Sequence, residues 1–202
     1  RPVTIELDGE LLTTSVHADT SRILNKFIFL ERSSGKWNVA QSLPNQFHKN
    51  PSRYGGFKSA INRNVIFIYG TAGNKEENNW SFQKSRYDAE QFWYQGNGSI
   101  KVMSDIQFMK EKFDGCNFII YGNAETNLAW KKLLPNCPVH ITNGQINIGN
   151  KEYKCKDLAC LFVYPQKENI NGIVGVVSGS GITGMKLTDR RLYLQPGYPF
   201  PD

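Results

Sequence analysis

The sequence VIFIYG at residues 65–70 and the sequence FIIYG at residues 118–122 decide the predicted fold. Both runs are rich in β-branched and aromatic residues, both end in Tyr-Gly, and each precedes a polar loop and a helical stretch. A continuous apolar run of this length is typical of a strand that is buried on both faces. The alternation of such strands with helices predicts a parallel β-sheet.

Further apolar runs and helical patterns complete the prediction. Strands are expected at 100–103, 161–164 and 172–177, with helices at 79–95, from Ser104 to about Gly115, and at 124–134. Ser104 and Gln107 match a capping box, and Asn123 is expected to cap the last of these helices. We therefore predict an α/β fold with a mostly parallel open sheet of about five strands and flanking helices, of the Rossmann-like or flavodoxin-like type.

The N-terminal residues have a different pattern. Asp8-Gly9 follows an alternating run, and the sequence SSGK at 33–36 separates two further apolar stretches. Both turns are typical of β-hairpins. We expect residues 1–45 to form a small antiparallel β unit or a connection to a neighbouring domain, and residues 46–202 to form the α/β domain. The segment 41–63 is expected to be a polar connector without regular structure.

Charge and cysteine content exclude several classes of protein. The net charge is +6, but the basic residues are scattered and form no stripe or arm, so no nucleic-acid partner is predicted. No apolar run approaches the roughly 18 residues of a membrane span. The four cysteines have no CxxC spacing and the histidines are distant, so no metal and no cofactor are predicted. A Cys137–Cys155 disulfide is left open.

The glycine-rich segment 179–184, GSGITG, matches the GxGxxG pattern of dinucleotide-binding proteins. The short proline-rich remainder of the chain leaves no room for a following helix and strand, so a flexible turn is the preferred interpretation. Ser178 and Ser180 do not fit the GxSxG nucleophile elbow. His140 alternates with apolar neighbours and is expected to face solvent. No catalytic residue is therefore predicted.

The ends of the predicted strands suggest a ligand-binding site as an alternative to a catalytic one. If the strands are parallel, their carboxyl ends meet at one edge, where ligands bind in open α/β sheets. Backbone amides and hydroxyl groups there could hold a small polar ligand, although turn and cap roles explain the same residues. The candidate ligand-binding residues are Gly70, Thr71, Gly122, Asn123, Ser178 and Ser180, and Tyr164-Pro165 is expected at the same edge.

Several segments, in order, resemble a region that follows the catalytic domain in large secreted bacterial serine hydrolases. These are enzymes of the prolyl-oligopeptidase or esterase type from Bacteroides-like bacteria. The resemblance spans residues from about 1 to 184. It rests on Trp37, RYGGFK at 53–58, FIYGTAG at 67–73, IKV at 100–102 with Asp105, IIYGN at 119–123 with Asn127, Leu134-Pro135, and FVYP at 162–165 with VSG at 177–179. Gln166 stands where relatives often have Asn.

The resemblance implies a non-catalytic C-terminal accessory domain with a role in interdomain packing or substrate presentation. Its partner would be an upstream catalytic domain of the same polypeptide, a peptidase or esterase, and its location periplasmic or extracellular. One alternative is a small-molecule or carbohydrate-binding domain that uses the strand edge. Another is a free-standing hydrolase with an atypical site. Exposed aromatic side chains in one row would favour a carbohydrate-binding domain, because sugars stack on aromatic rings. The exposure of four side chains tests this alternative: Trp80, Trp93, Tyr94 and Trp130.

Overall fold

The structure is a computed structural model that describes residues 2–15, 28–40, 45, 50, 53, 55–190 and 193–194. The chain divides into two compact units, residues 1–48 and residues 49–202. The elements of the first unit are β1 (Pro2–Leu7), β2 (Glu10–Ser15), β3 (Leu30–Ser33) and β4 (Lys36–Val39). Those of the second are β5 (Val65–Tyr69), α1 (Lys75–Gly96), β6 (Lys101–Ser104), α2 (Asp105–Lys110), β7 (Asn117–Tyr121), α3 (Ala129–Leu133), β8 (Val139–Thr142), β9 (Gln145–Ile148), β10 (Lys151–Lys154), β11 (Ala159–Pro165), β12 (Ile173–Gly179) and α4 (Ile182–Leu187).

The first unit consists of two antiparallel hairpins, β1–β2 and β3–β4, which confirms the predicted N-terminal hairpins. Asp8 and Gly9 both have positive φ, as the tight turn of a two-residue hairpin requires. Trp37 links the hairpins, because its indole N–H donates to the Asp8 carboxylate over 2.9 Å and its backbone N–H donates to Glu10 over 3.1 Å. The apolar stretch 26–30, which precedes the SSGK turn and is expected to form one strand of the second hairpin, lies partly outside the described residues, because residues 26 and 27 are not among them.

The second unit is built around a five-stranded sheet in the order β11-β12-β7-β5-β6. Strands β12, β7, β5 and β6 run parallel, whereas β11 runs antiparallel to β12. Strands β8, β9 and β10 form a separate antiparallel sheet. The prediction of a mostly parallel, Rossmann-like or flavodoxin-like sheet is therefore wrong, since the main sheet is mixed and small antiparallel sheets accompany it. The loop between β11 and β12 is too short for a crossover helix, so these strands form a hairpin.

Strands β5, β7 and β12 are buried over most of their length because both faces of the sheet are covered. On one face Phe67, Tyr121 and Val177 pack with Trp80 of α1 and Met185 of α4. Side chains of the opposite face form two further clusters, which include Ile120, Val176, Trp130, Ile141 and Ile146, and Ile68, Phe118 and Phe108. The segment predicted to be an irregular connector contains a 3-10 turn, Phe57–Ala60, whose apolar side chains join the first cluster.

The predicted caps are partly confirmed. Ser104 and Gln107 form a capping box at the start of α2, as the sequence indicates, but α2 ends at Lys110 rather than near Gly115. Helix α1 begins earlier than predicted, because Asn74 and Glu77 form a second capping box. Helix α3 begins only at Ala129, and its N-cap position is Leu128 rather than Asn123.

The glycine-rich segment 179–184 leads directly into α4, so the prediction that no helix follows it is wrong. Each glycine permits close packing rather than flexibility. A Cβ atom on Gly179 would lie 2.3 Å from the backbone nitrogen of Met185, and one on Gly184 would lie 2.2 Å from the carbonyl oxygen of Leu158. The GxGxxG pattern therefore packs α4 against β12 and the segment before β11.

We predict that Gly184→Ala lowers the free energy of unfolding by about 3 kcal/mol, because backbone atoms next to the new methyl group would have to move. The matched control is Gly96→Ala at the end of α1, where a Cβ would meet only ordinary contacts with Phe92 at 3.9 Å. Urea denaturation of the two variants and the wild type measures both changes. Equal stabilities of the two variants would contradict this role of Gly184.

Candidate functional site

The structure brings the predicted ligand-binding residues to one edge of the sheet. Strands β5, β7 and β12 are neighbours, with Tyr69 paired to Tyr121 and Tyr121 paired to Val177, so their carboxyl ends lie side by side. Gly70-Thr71, Gly122-Asn123 and Ser178 with Ser180 follow at this edge. Tyr164-Pro165 lies at the opposite edge because β11 is antiparallel, so that part of the prediction is wrong.

The loop 122–128 fills the space in which a ligand would lie. A Cβ atom on Gly70 would be 2.2 Å from the carbonyl oxygen of Thr126, and one on Gly122 would be 2.6 Å from the hydroxyl oxygen of Thr126. Gly70, Gly122 and Thr126 are all buried. The glycines at this edge therefore allow the chain itself, rather than a ligand, to approach the strand ends.

Asn123 is fully buried and uses its whole side chain within the protein. Its amide donates to Oδ1 of Asn143 over 2.9 Å and to the carbonyl of Gly179 over 3.1 Å. Its Oδ1 accepts from the backbone N–H groups of Glu125 and Thr126. Asn123 thus caps a turn instead of helix α3, and it leaves no hydrogen-bonding group for a ligand.

Asp105 and Asn127 hold this loop in place, although the sequence marked them only through the family resemblance. The fully buried Asp105 carboxylate accepts from the Thr71 hydroxyl over 2.6 Å, from the Thr71 N–H over 3.1 Å and from the Leu128 N–H over 2.8 Å. The Asn127 amide donates to carbonyl groups at the ends of β5 and β7, over 3.0 and 2.9 Å. Together they tie three segments of the edge into one network.

The two serines do not form a catalytic arrangement. The Ser180 hydroxyl donates to the Cys155 carbonyl and accepts from the Leu158 N–H. The Ser178 hydroxyl is buried and has no hydrogen-bond partner in the described part of the chain. His140 lies exposed on β8 beside the Trp130 ring, and no hydrogen bond joins it to either serine, while the other two histidines lie outside the described residues.

Two of the four cysteines are held by burial in the unreactive thiol form. Cys116, Cys137, Cys155 and Cys160 are free thiols in the structure. Burial raises the pKa of Cys160 to about 11, and burial also raises the pKa of Cys137. Because the thiolate is the nucleophilic form, these two groups are protonated and unreactive near neutral pH.

A second group of ionisable residues lies buried between α1 and β7. The Asp88 carboxylate accepts hydrogen bonds from the Tyr121 hydroxyl over 3.0 Å and from the Tyr193 hydroxyl, and Lys84 forms an ion pair with it over 2.8 Å. Burial raises the pKa of Asp88 above its usual value, and Lys84 opposes this effect. Burial, together with the Asp88 charge, also raises the pKa of both phenols. All four side chains are buried, so the cluster fixes α1 and Tyr193 to the sheet.

No protein-family model matches this chain, and no curated protein and no solved structure shows a significant match to it. Within the described residues, no helix has the length and apolar character that crossing a bilayer requires. The same residues contain no group of three or more His, Cys, Asp or Glu side chains arranged to hold a metal ion.

We predict that Asp105→Asn lowers the free energy of unfolding by about 2–4 kcal/mol, because the amide group cannot accept all the hydrogen bonds that the carboxylate accepts. The control is Asp114→Asn, since Asp114 is exposed and its carboxylate forms no hydrogen bond or ion pair within the described residues. Thermal and urea unfolding of both variants measures the difference. A cost for Asp105→Asn no greater than that for Asp114→Asn would refute the network.

The buried phenols predict a loss of stability at high pH. In the unfolded chain tyrosine ionises near pH 10, whereas burial keeps Tyr121 and Tyr193 neutral in the folded chain above that pH. Their contribution is fully present below pH 10 and is lost as the pH rises, at about 1.4 kcal/mol per pH unit for each group. The variant Tyr193→Phe should therefore lose about 1.4 kcal/mol less unfolding free energy per pH unit than the wild type in this range, because it has one buried phenol fewer.

The measurement is urea denaturation of the wild type and Tyr193→Phe between about pH 9 and pH 11.5. Tyr94→Phe is the control, because Tyr94 is 79% exposed. Parallel curves for the wild type and Tyr193→Phe would show that Tyr193 ionises equally in the folded and unfolded chains.

Proposed function

We propose that this chain is a non-catalytic accessory domain that works beside a serine hydrolase domain of the same polypeptide, in interdomain packing or substrate presentation. The observation that carries the proposal is that the chain itself fills the carboxyl edge of the sheet. At that edge the loop 122–128 occupies the position in which ligands bind in open α/β sheets. The side chains of Asp105, Asn123 and Asn127 form their hydrogen bonds with other groups of the same chain.

The same edge argues against an atypical hydrolase. A serine nucleophile needs a base within hydrogen-bond reach and donors aimed at the developing oxyanion. Ser178 is fully buried and Ser180 is bound to backbone groups of the segment 155–158, so neither can meet a substrate carbonyl without local unfolding. This supports placing the reactive serine in another domain.

The four aromatic side chains that test the carbohydrate-binding alternative do not form a flat surface on which sugars could stack. Trp80 and Trp130 are buried, with 6% and 2% exposure. Trp93 and Tyr94 are exposed, but their rings meet edge to face at 79°, so they offer no common flat surface for stacking. This geometry favours the accessory domain over the carbohydrate binder.

Exposed apolar side chains on α1 and on α2, which cover opposite faces of the sheet, support a role in packing against another domain. Tyr87, Trp93 and Tyr94 of α1 and Ile106 and Met109 of α2 are each more than one third exposed. Tyr87 and Tyr94 lie two turns apart on α1, and the Trp93 ring contacts the Tyr94 ring, so α1 alone presents a group of large exposed apolar side chains of the kind that another protein surface often covers. In the proposed arrangement the covering surface belongs to the same polypeptide, which the family resemblance places in the periplasm or outside the cell.

A fluorophosphonate probe tests both parts of the proposal. The purified chain should remain unlabelled, because no serine of the described residues is paired with a base, whereas the full-length precursor should be labelled at a serine upstream of Arg1. Labelling is followed by gel fluorescence, and peptide mapping locates the modified serine. A known serine hydrolase serves as the positive control.

Two results would refute the proposal. Labelling of the isolated chain that disappears in Ser178→Ala or Ser180→Ala would make the chain an enzyme. A precursor that carries no labelled serine upstream of Arg1 would remove the hydrolase partner.

A further inference from the structure

A cavity of about 750 Å³ lies at the opposite edge of the sheet from the filled carboxyl edge. It is bounded by the loop before β7 and the loop 166–170 before β12. Its volume falls within the range of 300–1,000 Å³ that is usual for small-molecule sites. We call it the amino-edge cavity; its lining includes Phe108, Phe113, Phe118, Lys132 and Gln166.

Three phenylalanine rings give the cavity an apolar wall. Phe108 stacks on Phe113 with ring centroids 5.8 Å apart and planes 4° apart, and Phe118 meets Phe108 edge to face at 5.1 Å. Phe108 and Phe118 belong to the buried core, so this wall is held rigidly. A rigid aromatic wall favours ligands with an apolar or aromatic group.

Lys132 places a positive charge beside this wall. Its ammonium group lies 4.8 Å from the centroid of the Phe108 ring. No carboxylate of the described residues lies within ion-pair distance of Lys132, and the nearby Glu111 already pairs with Lys101 at 3.3 Å. The charge of Lys132 is therefore available to an anionic group of a ligand.

Gln166 supplies a hydrogen-bond acceptor at the wall of the cavity. The side-chain amide donates to the carbonyl groups of Cys116 and Ile173 over 2.8 and 3.2 Å, which fixes its orientation. Its Oε1 accepts no hydrogen bond within the described residues, although Gln166 is only 8% exposed and lines the cavity. Oε1 itself is not fully buried, so it is accessible from the cavity, where it can accept a hydrogen bond from an N–H or O–H group of a ligand.

We propose that the amino-edge cavity binds a small carboxylate that also carries an apolar group and an N–H or O–H donor, such as an N-acylated amino acid. The apolar group packs on the phenylalanine wall, the carboxylate meets Lys132, and the donor meets Oε1 of Gln166. The ionic lining is balanced, with Lys112, Lys132 and Lys167 against Glu111, Asp114 and Glu168. This balance favours a singly charged carboxylate over a phosphate.

The test is a titration of the ¹⁵N-labelled chain with N-acetyl-L-phenylalanine, followed by ¹H–¹⁵N correlation spectra. Saturable shifts should cluster in residues 108–118, 132–133 and 166–170. N-acetyl-L-phenylalaninamide keeps the ring and the N–H group but has no charge, so it should bind about tenfold more weakly.

Two lysine variants isolate the role of the charge. Lys132→Gln should weaken binding of N-acetyl-L-phenylalanine about five- to tenfold, because it removes the cation beside the ring. Lys131→Gln is the matched control, since Lys131 is exposed on the same helix and does not line the cavity. Both side chains are on the surface, so both variants should keep the wild-type unfolding temperature.

Three results would overturn the assignment: no saturable shifts up to about 10 mM ligand, equal losses for the two lysine variants, or tighter binding of phenyl phosphate than of the carboxylate. None of them depends on the fluorophosphonate experiment. A failure of this inference is therefore distinguishable from a failure of the proposed accessory role.

Discussion

The buried carboxylate of Asp105 is the group on which the carboxyl edge of the sheet depends. It lies at the start of α2 and accepts hydrogen bonds from Thr71 after β5 and from Leu128 before α3. A buried charge is tolerated only when such donors surround it, so each of these loops is constrained to one position. The hydrogen bonds of Asn123 and Asn127 then complete the order of this edge.

The contrast between local patterns and long-range contacts explains which parts of the fold the sequence could predict. The buried strands β5, β7 and β12 and the capping box at Ser104 are local patterns, and the structure contains them. The antiparallel direction of β11 follows from the short loop 166–172, which the sequence also contains, whereas the late start of α3 depends on tertiary contacts. Asn123 has the sequence pattern of a helix cap, but hydrogen bonds to Asn143 and Gly179 draw it into a turn. Local propensity was overridden there by partners distant in the sequence.

The same distinction applies to the candidate site. The topology of parallel strands brings Gly70, Gly122 and Ser178 to one edge whatever their neighbours are, so their proximity was predictable. Thr126 decides whether space for a ligand remains there, because its atoms pack against Gly70 and Gly122. No motif in the sequence predicts that Thr126 occupies this position. Glycine after a strand is required equally for close approach of a ligand and for close approach of the chain's own backbone.

The two edges of the sheet differ in the space and the free polar groups that they offer a ligand. At the carboxyl edge the side-chain groups of Asp105, Asn123 and Asn127 are bound by the chain itself, so a ligand would have to displace existing hydrogen bonds. At the amino edge, within the described residues, Oε1 of Gln166 accepts no hydrogen bond and Lys132 forms no ion pair, and both line a cavity with an aromatic wall. The Ser178 hydroxyl at the carboxyl edge also has no partner within the described residues, but it is fully buried. We therefore expect a ligand to bind at the amino edge, where free polar groups border open space, rather than at the carboxyl edge, where the chain fills that space.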